Sequence, residues 1–159
     1  LQVRGPWIAE RYYKSESSAA TPDGWFDTGD IATLDADGYM QITDRAKDII
    51  KSGGEWISSV DLENAAMGHP QISHAAVIGI PHPRWQERPL MVCVCRGTVP
   101  PSLADLNAYL ITKVPKWWLP DAVEFVDALP LGATGKIQKA VLRERFKDYV
   151  LGVPDARSA

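Results

Sequence analysis

Asp44-Arg45-Ala46-Lys47-Asp48-Ile49-Ile50-Lys51-Ser52-Gly53-Gly54-Glu55-Trp56-Ile57 is the stretch on which the reading of this chain turns. Its first five residues carry four charges and no apolar period, which suits an exposed linker between two packed units. Ile49-Ile50-Lys51 and Glu55-Trp56-Ile57 then flank Ser52-Gly53-Gly54, and two short runs of β-formers around a glycine turn predict a hairpin. A boundary at 44–48 therefore separates a unit over 1–43 from another that begins at residue 49.

Upstream, Trp25 to Leu34 holds β-formers, Asp35-Ala36-Asp37-Gly38 supplies turn chemistry, and Tyr39-Met40-Gln41-Ile42-Thr43 alternates apolar with polar. That is a hairpin, and residues 1–43, the β-rich first unit, carry only strands. Asp35 and Asp37 do not make a calcium loop: Gly38 comes two residues early for an EF-hand and the closing glutamate is absent.

Downstream, Ser58 or Ser59 caps a helix that runs to about Gly68, with Asp61 and Glu63 in its first turn, where the helix dipole favours acids. Ala75 to Ile80 and Pro89 to Arg96 read as strands joined by a polar loop over 81–88. Ser102 with Asp105 resembles a capping box opening a helix that carries Leu103, Leu106, Leu110 and Ile111 on one side. Ala122 to Val126 reads as a strand, and Val141, Leu142, Phe146, Tyr149 and Val150 mark a last amphipathic helix. From residue 49 the order is ββαββαβα, a small α+β domain over 49–150 with helices packed on a sheet, followed by a frayed tail at 151–159.

The 159 residues are 45% hydrophobic and 23% charged, so a packed core is expected. A net charge of −3 argues against the basic surface that nucleic-acid binding needs. No apolar run reaches the ~20 residues of a membrane span. Cys93 and Cys95 would share one face of a strand and read as small apolar core residues, since half a Cys/His set is not a metal site. No two of His69, His74 and His82 have i, i+4 spacing, so no metal site is expected. The chain opens on Leu1 and reads as a piece of a longer protein.

Three further segments carry chemistry. Asp30 follows Thr28-Gly29 where the chain turns, and a carboxylate can accept the paired hydrogen bonds of two adjacent ribose hydroxyls. Residue chemistry alone favours a solvated turn aspartate. Lys51-Ser52-Gly53-Gly54-Glu55, taken alone, is a simple hairpin turn. Leu129-Pro130-Leu131-Gly132-Ala133-Thr134-Gly135-Lys136 delivers one cation on a glycine-flanked loop, which suits work on an anion. It is not a P-loop, because only two residues separate its glycines and Ile137 stands where Ser or Thr would hold Mg²⁺.

Gly24 to Asp30, the 44–55 tract and the Lys136 loop, in that order and spacing, resemble the acyl-CoA synthetase and adenylate-forming (AMP-binding) superfamily. The wording of residues 51–64, with Ile80-Pro81-His82-Pro83 and Trp85-Gln86-Glu87-Arg88-Pro89, is most similar to its medium- and long-chain fatty acyl-CoA synthetases. The resemblance implies two half-reactions, carboxylate plus ATP to acyl-AMP and pyrophosphate, then transfer of the acyl group to the CoA thiol with release of AMP.

It further implies that Asp30 binds the AMP ribose hydroxyls with help from Arg45. Lys136 would neutralise charge in the first step, and Lys47 would serve as the hinge on which the C-terminal domain rotates. Lys51 would join the second step. Gly53, Gly54, Glu55 and Trp56 would line the pantetheine channel. ATP/AMP, CoA and Mg²⁺ are the implied cofactors, the last held mainly by an N-terminal domain absent from this sequence, so this portion alone is expected to be inactive. A cytoplasmic ligase of fatty acids is the expectation, with an oligomeric state left open. An adenylation domain that loads a carrier protein, and a non-catalytic binding module of the same fold, are the alternatives.

Overall fold

The computed structural model describes residues 1–151; of the tail expected over 151–159 only Leu151 is among them, and it is buried rather than frayed. Two compact units follow one another along the chain, Leu1–Lys47 and Asp48–Ala159.

In the first unit β1 (Gln2–Val3) pairs antiparallel with β2 (Phe26–Asp27), and β3 (Asp30–Leu34) pairs antiparallel with β4 (Met40–Arg45). The Asp35 carboxylate accepts the N–H groups of Asp37 (3.0 Å) and Tyr39 (2.8 Å), a side-chain-closed turn of the kind aspartate favours. β4 continues through Asp44, which is buried, and Arg45, so these two charged residues belong to a strand rather than to an exposed linker.

The second unit has the order β5 (Ile50–Ser52), β6 (Glu55–Ile57), α1 (Ser59–Met67), β7 (Ile72–His82), β8 (Gln86–Cys95), α2 (Leu103–Leu110), β9 (Ala122–Phe125) and α3 (Lys139–Arg145). This is the α+β order read from the sequence. β8 is the central strand: β7 pairs with it antiparallel along one side, while β5 meets its start and β9 runs parallel to its middle on the other.

Both faces of the sheet are covered, which is why β7 and β8 read as nearly continuous apolar runs. Ala75, Val77, Met91 and Cys93 face the cluster closed by Leu62 of α1 and by Leu106 and Leu110 of α2. Ala76, Ile78, Leu90 and Val92 face Leu142 of α3.

Two further expectations need correction. The polar segment 81–88 is mostly strand: Pro81 pairs with Glu87 and His82 with Gln86. The turn between them is closed by His82 Nδ1, which accepts the N–H of Arg84 (3.1 Å) and of Trp85 (3.2 Å). Ladder bonds join backbone groups, so polar side chains did not prevent them. The last helix ends at Arg145, and Phe146, Tyr149 and Val150 lie beyond it. The first two keep their inward packing without helix, in edge-to-face contact at 6.0 Å, with the Tyr149 hydroxyl donating to Glu124 at 2.8 Å.

Candidate active site

Apart from Lys47, each expected site residue falls on a segment whose backbone is fixed by identifiable bonds. In the first unit Asp30 and Arg45 are cross-strand partners at the open end of the β3–β4 pair, with Arg45 Nε 3.0 Å from Asp30 Oδ1. The Asp30 side chain retains 19% of its exposure and that of Arg45 55%, so the pair adds little to stability. What it does is hold the carboxylate in one orientation. Thr28 Oγ1 accepts the Asp30 N–H at 3.2 Å and fixes the backbone beneath it. Lys47 is exposed and closes this unit.

In the second unit the β5–β6 hairpin carries five of the expected residues together. Lys51 lies opposite Trp56, so their side chains share one face, and both are exposed. The turn between the strands uses Gly53 and Gly54 at φ +61 and +88, where a side chain would be strained. Glu55 is exposed at the start of β6.

This hairpin is clamped to the start of β8. Gly53 N–H donates to the Trp85 carbonyl at 2.8 Å, Ser52 pairs with Gln86, and Lys51 N–H donates to Glu87 Oε2 at 2.9 Å. The Trp85 indole covers Gly53 and is itself stacked by the Arg84 guanidinium, 4.5 Å from its centroid.

Lys136 stands on a separate turn. Leu131 bridges Ile137, Gly132 N–H donates to the Lys136 carbonyl at 2.8 Å, and Gly135 N–H donates to the Gly132 carbonyl at 2.9 Å, with Gly135 at φ +75. The backbone is thereby closed while the side chain is exposed. Among the described residues no ion pair engages the ammonium of Lys136 or of Lys51. Exposed, solvated ammonium groups on closed turns are suited to meeting an anion that arrives from outside.

Trp85 and Arg88, quoted above only as part of the resemblance, were given no role by the sequence. Arg88 donates to both oxygens of Asp121 (2.8 Å each), to Ser52 Oγ (3.2 Å) and to the carbonyls of Trp117 and Leu119 (2.9 Å each). One guanidinium thus ties β5 to the segment leading into β9. The signal available was a single arginine beside a proline in an apolar strand, whose planar fork suits several fixed acceptors at once.

Among the described residues no three of His, Cys, Asp and Glu converge as metal ligands. No helix among them is long and apolar enough to cross a membrane.

Residues 61–136 match the AMP-binding enzyme C-terminal domain. The chain is 57% identical over 152 residues to 3-methylmercaptopropionyl-CoA ligase of Ruegeria pomeroyi, which covers 96% of this chain and 28% of that enzyme. It is 55% identical over 156 residues to the long-chain-fatty-acid–CoA ligase of Thermus thermophilus, covering 96% of this chain and 29% of the other. Among solved structures it is similar to o-succinylbenzoate CoA synthetase of Bacillus subtilis in complex with its acyl-adenylate intermediate, with 32% identity and a TM-score of 0.80 over 96% of this chain and 31% of that one. The chain thus spans between a quarter and a third of the length of the relatives it matches. On the family match, the two ligases and the shared fold, this chain belongs to the adenylate-forming (AMP-binding) superfamily and carries its C-terminal domain.

Proposed function

We propose that the chain is the C-terminal part of an AMP-forming ligase that joins an aliphatic carboxylic acid, of the fatty acid class, to CoA. The observation that carries this is the Lys136 turn, an exposed ammonium on a backbone closed by two hydrogen bonds, at the position that the resemblance read from the sequence implies is the catalytic lysine. In the first half-reaction an acid carboxylate attacks the ATP α-phosphorus, the bond to pyrophosphate breaks, and charge builds on oxygens between the two reactants. Lys136 offsets that charge, a contribution of ~100- to 1000-fold in rate for one well-placed donor. Asp30, oriented by Arg45, accepts the ribose hydroxyls of the nucleotide.

In the second half-reaction the CoA sulfur attacks the acyl carbonyl carbon and AMP leaves. Gly53 and Gly54, which lack side chains, leave room for pantetheine to pass along the hairpin beside Glu55 and Trp56, and Lys51 acts in this step. Lys47 absorbs the backbone change between the two steps, as a hinge residue does. The aliphatic class is supported by the acids named for the two relatives above, a thioether-substituted propionate and a long-chain fatty acid.

The test is an assay of the full-length enzyme that carries this chain, with fatty acid, ATP and CoA. Formation of AMP and pyrophosphate that depends on the acid, and of an acyl-CoA without any carrier protein, is the expected result. Formation of ADP, or a product that requires a carrier protein, contradicts the reading.

A further inference from the structure

Lys139 lies three positions beyond Lys136, at the start of α3, and is half-buried. Its side chain retains 11% exposure, and its Nζ lies 2.7 Å from Glu63 Oε1 and 2.7 Å from Ser59 Oγ, both on α1. The same Glu63 oxygen accepts the Val77 N–H at 2.7 Å, so α1, β7 and α3 meet around one ammonium.

Helix α3 gives a reason for this arrangement. It has seven residues, too few to be stable by itself, and Leu142 is its one fully buried residue. A single apolar anchor does not fix the rotation of a short helix about its own axis. Lys139 and Arg143, spaced i, i+4, lie on one face and supply two directional contacts, the second to Asp48 Oδ1. Well-packed apolar residues often replace a buried ion pair without loss of stability, so stability alone does not call for a charge here. A lysine between two fixed oxygens does set one geometry.

That geometry is passed to the Lys136 turn through a short path. Gln138, between the turn and Lys139, donates its N–H to the Pro130 carbonyl at 2.8 Å, which closes the base of the loop. The Gly53–Gly54 turn is held otherwise, by the Trp85 carbonyl and the start of β8. The two functional loops of this domain therefore have separate anchors.

We propose that Lys139, through its contacts with Glu63 and Ser59, is the positioning residue that sets where Lys136 is presented, and so serves the adenylation step alone. This rests on the role assigned to Lys136 above. Lys139→Met takes the ammonium away from the Glu63 carboxylate, so the informative variant is Lys139→Met/Glu63→Gln, whose glutamine oxygen still accepts the Val77 N–H.

In the full-length enzyme, ATP–pyrophosphate exchange reads the first step and thioester formation from supplied acyl-adenylate reads the second. Lys136→Ala is assayed beside the double variant, and the thermal unfolding of each is followed. The expected result is a double variant that unfolds cooperatively and loses ~10- to 100-fold in exchange, the cost of a misplaced catalytic group. Its thioester formation stays within about twofold of the parent, because the second step uses the other loop. Unchanged exchange, or equal loss of both steps, overturns the proposal while leaving the Lys136 assignment intact. If Lys136→Ala itself retains exchange, the functional reading fails and this one falls with it.

Discussion

Gly53 and Trp85 are packed so closely that a β-carbon at position 53 would come within 2.8 Å of the indole Cε3. Gly53→Ala therefore meets two costs. Its φ of +61 is a left-handed conformation that costs an alanine about 1–2 kcal/mol, and the indole must shift. Urea unfolding of Gly53→Ala, Trp85→Ala and the double variant separates them. The double variant should be more stable than the sum of the single changes implies, since the clash is gone and the backbone term remains. Strict additivity would mean that the indole is not held against the turn.

Asp30 and Arg45 form a partly exposed ion pair, so its value lies in orientation rather than stability. Asp30→Ala in the full-length enzyme should weaken AMP binding by ~10- to 100-fold, the equivalent of losing hydrogen bonds to a charged acceptor. Its melting temperature should stay near that of the parent. Titration calorimetry reads the affinity, and unchanged AMP binding would remove Asp30 from the ribose site.

Arg88 is the reverse case. Its side chain is 13% exposed and satisfies an aspartate, a serine and two carbonyls, all of which lose their donor in Arg88→Met. Removing one partner of such a pair costs about 3 kcal/mol, the low end of the range for buried pairs because Asp121 keeps 35% of its exposure. Denaturant unfolding of the chain measures this directly. A loss of a few tenths of a kcal/mol would show that solvent reaches these acceptors.

The two thiols should differ sharply in reactivity. Burial, with the neighbouring Cys95 charge second, pushes the Cys93 thiol up to about 12, and burial also raises Cys95, which is only half-buried. At pH 8 a disulfide reagent should titrate one thiol of the folded chain slowly, at Cys95, and both after denaturation. The sign for stability follows: the folded state keeps a proton that the unfolded thiol gives up above about pH 8.5. The Cys93 contribution is full below that pH and is lost as pH rises towards about 12. Rapid labelling of Cys93 in the folded chain would contradict its burial.

The order ββαββαβα was legible because alternating and 3.6-period apolar residues report which face of each element is buried. The expected site segments were legible because glycines mark the turns that carry them. What escaped was set by contacts distant in sequence. Nothing local to Trp85 indicates that it covers Gly53, since that depends on Ser52 pairing with Gln86. The strand ends at Pro81–His82 and Gln86–Arg88 were hidden because polar side chains say nothing of backbone pairing. The length of α3 was overread because Phe146 and Tyr149 continue a helical period while the chain has left the helix at Arg145. The inward contacts of Lys139 were invisible because its partners, Ser59 and Glu63, lie on α1.

On the proposed division of labour, Lys136 serves one half-reaction and the Gly53–Gly54 hairpin, with Lys51, the other. The most direct measurement is the pair of half-reaction rates for Lys136→Ala and Lys51→Ala in the full-length enzyme. Lys136→Ala should lose ~100- to 1000-fold in acyl-adenylate formation, the scale of one lost transition-state contact, and keep thioester formation from supplied acyl-adenylate. Lys51→Ala should do the converse. Equal loss of both steps in either variant would contradict the division of labour between the two loops.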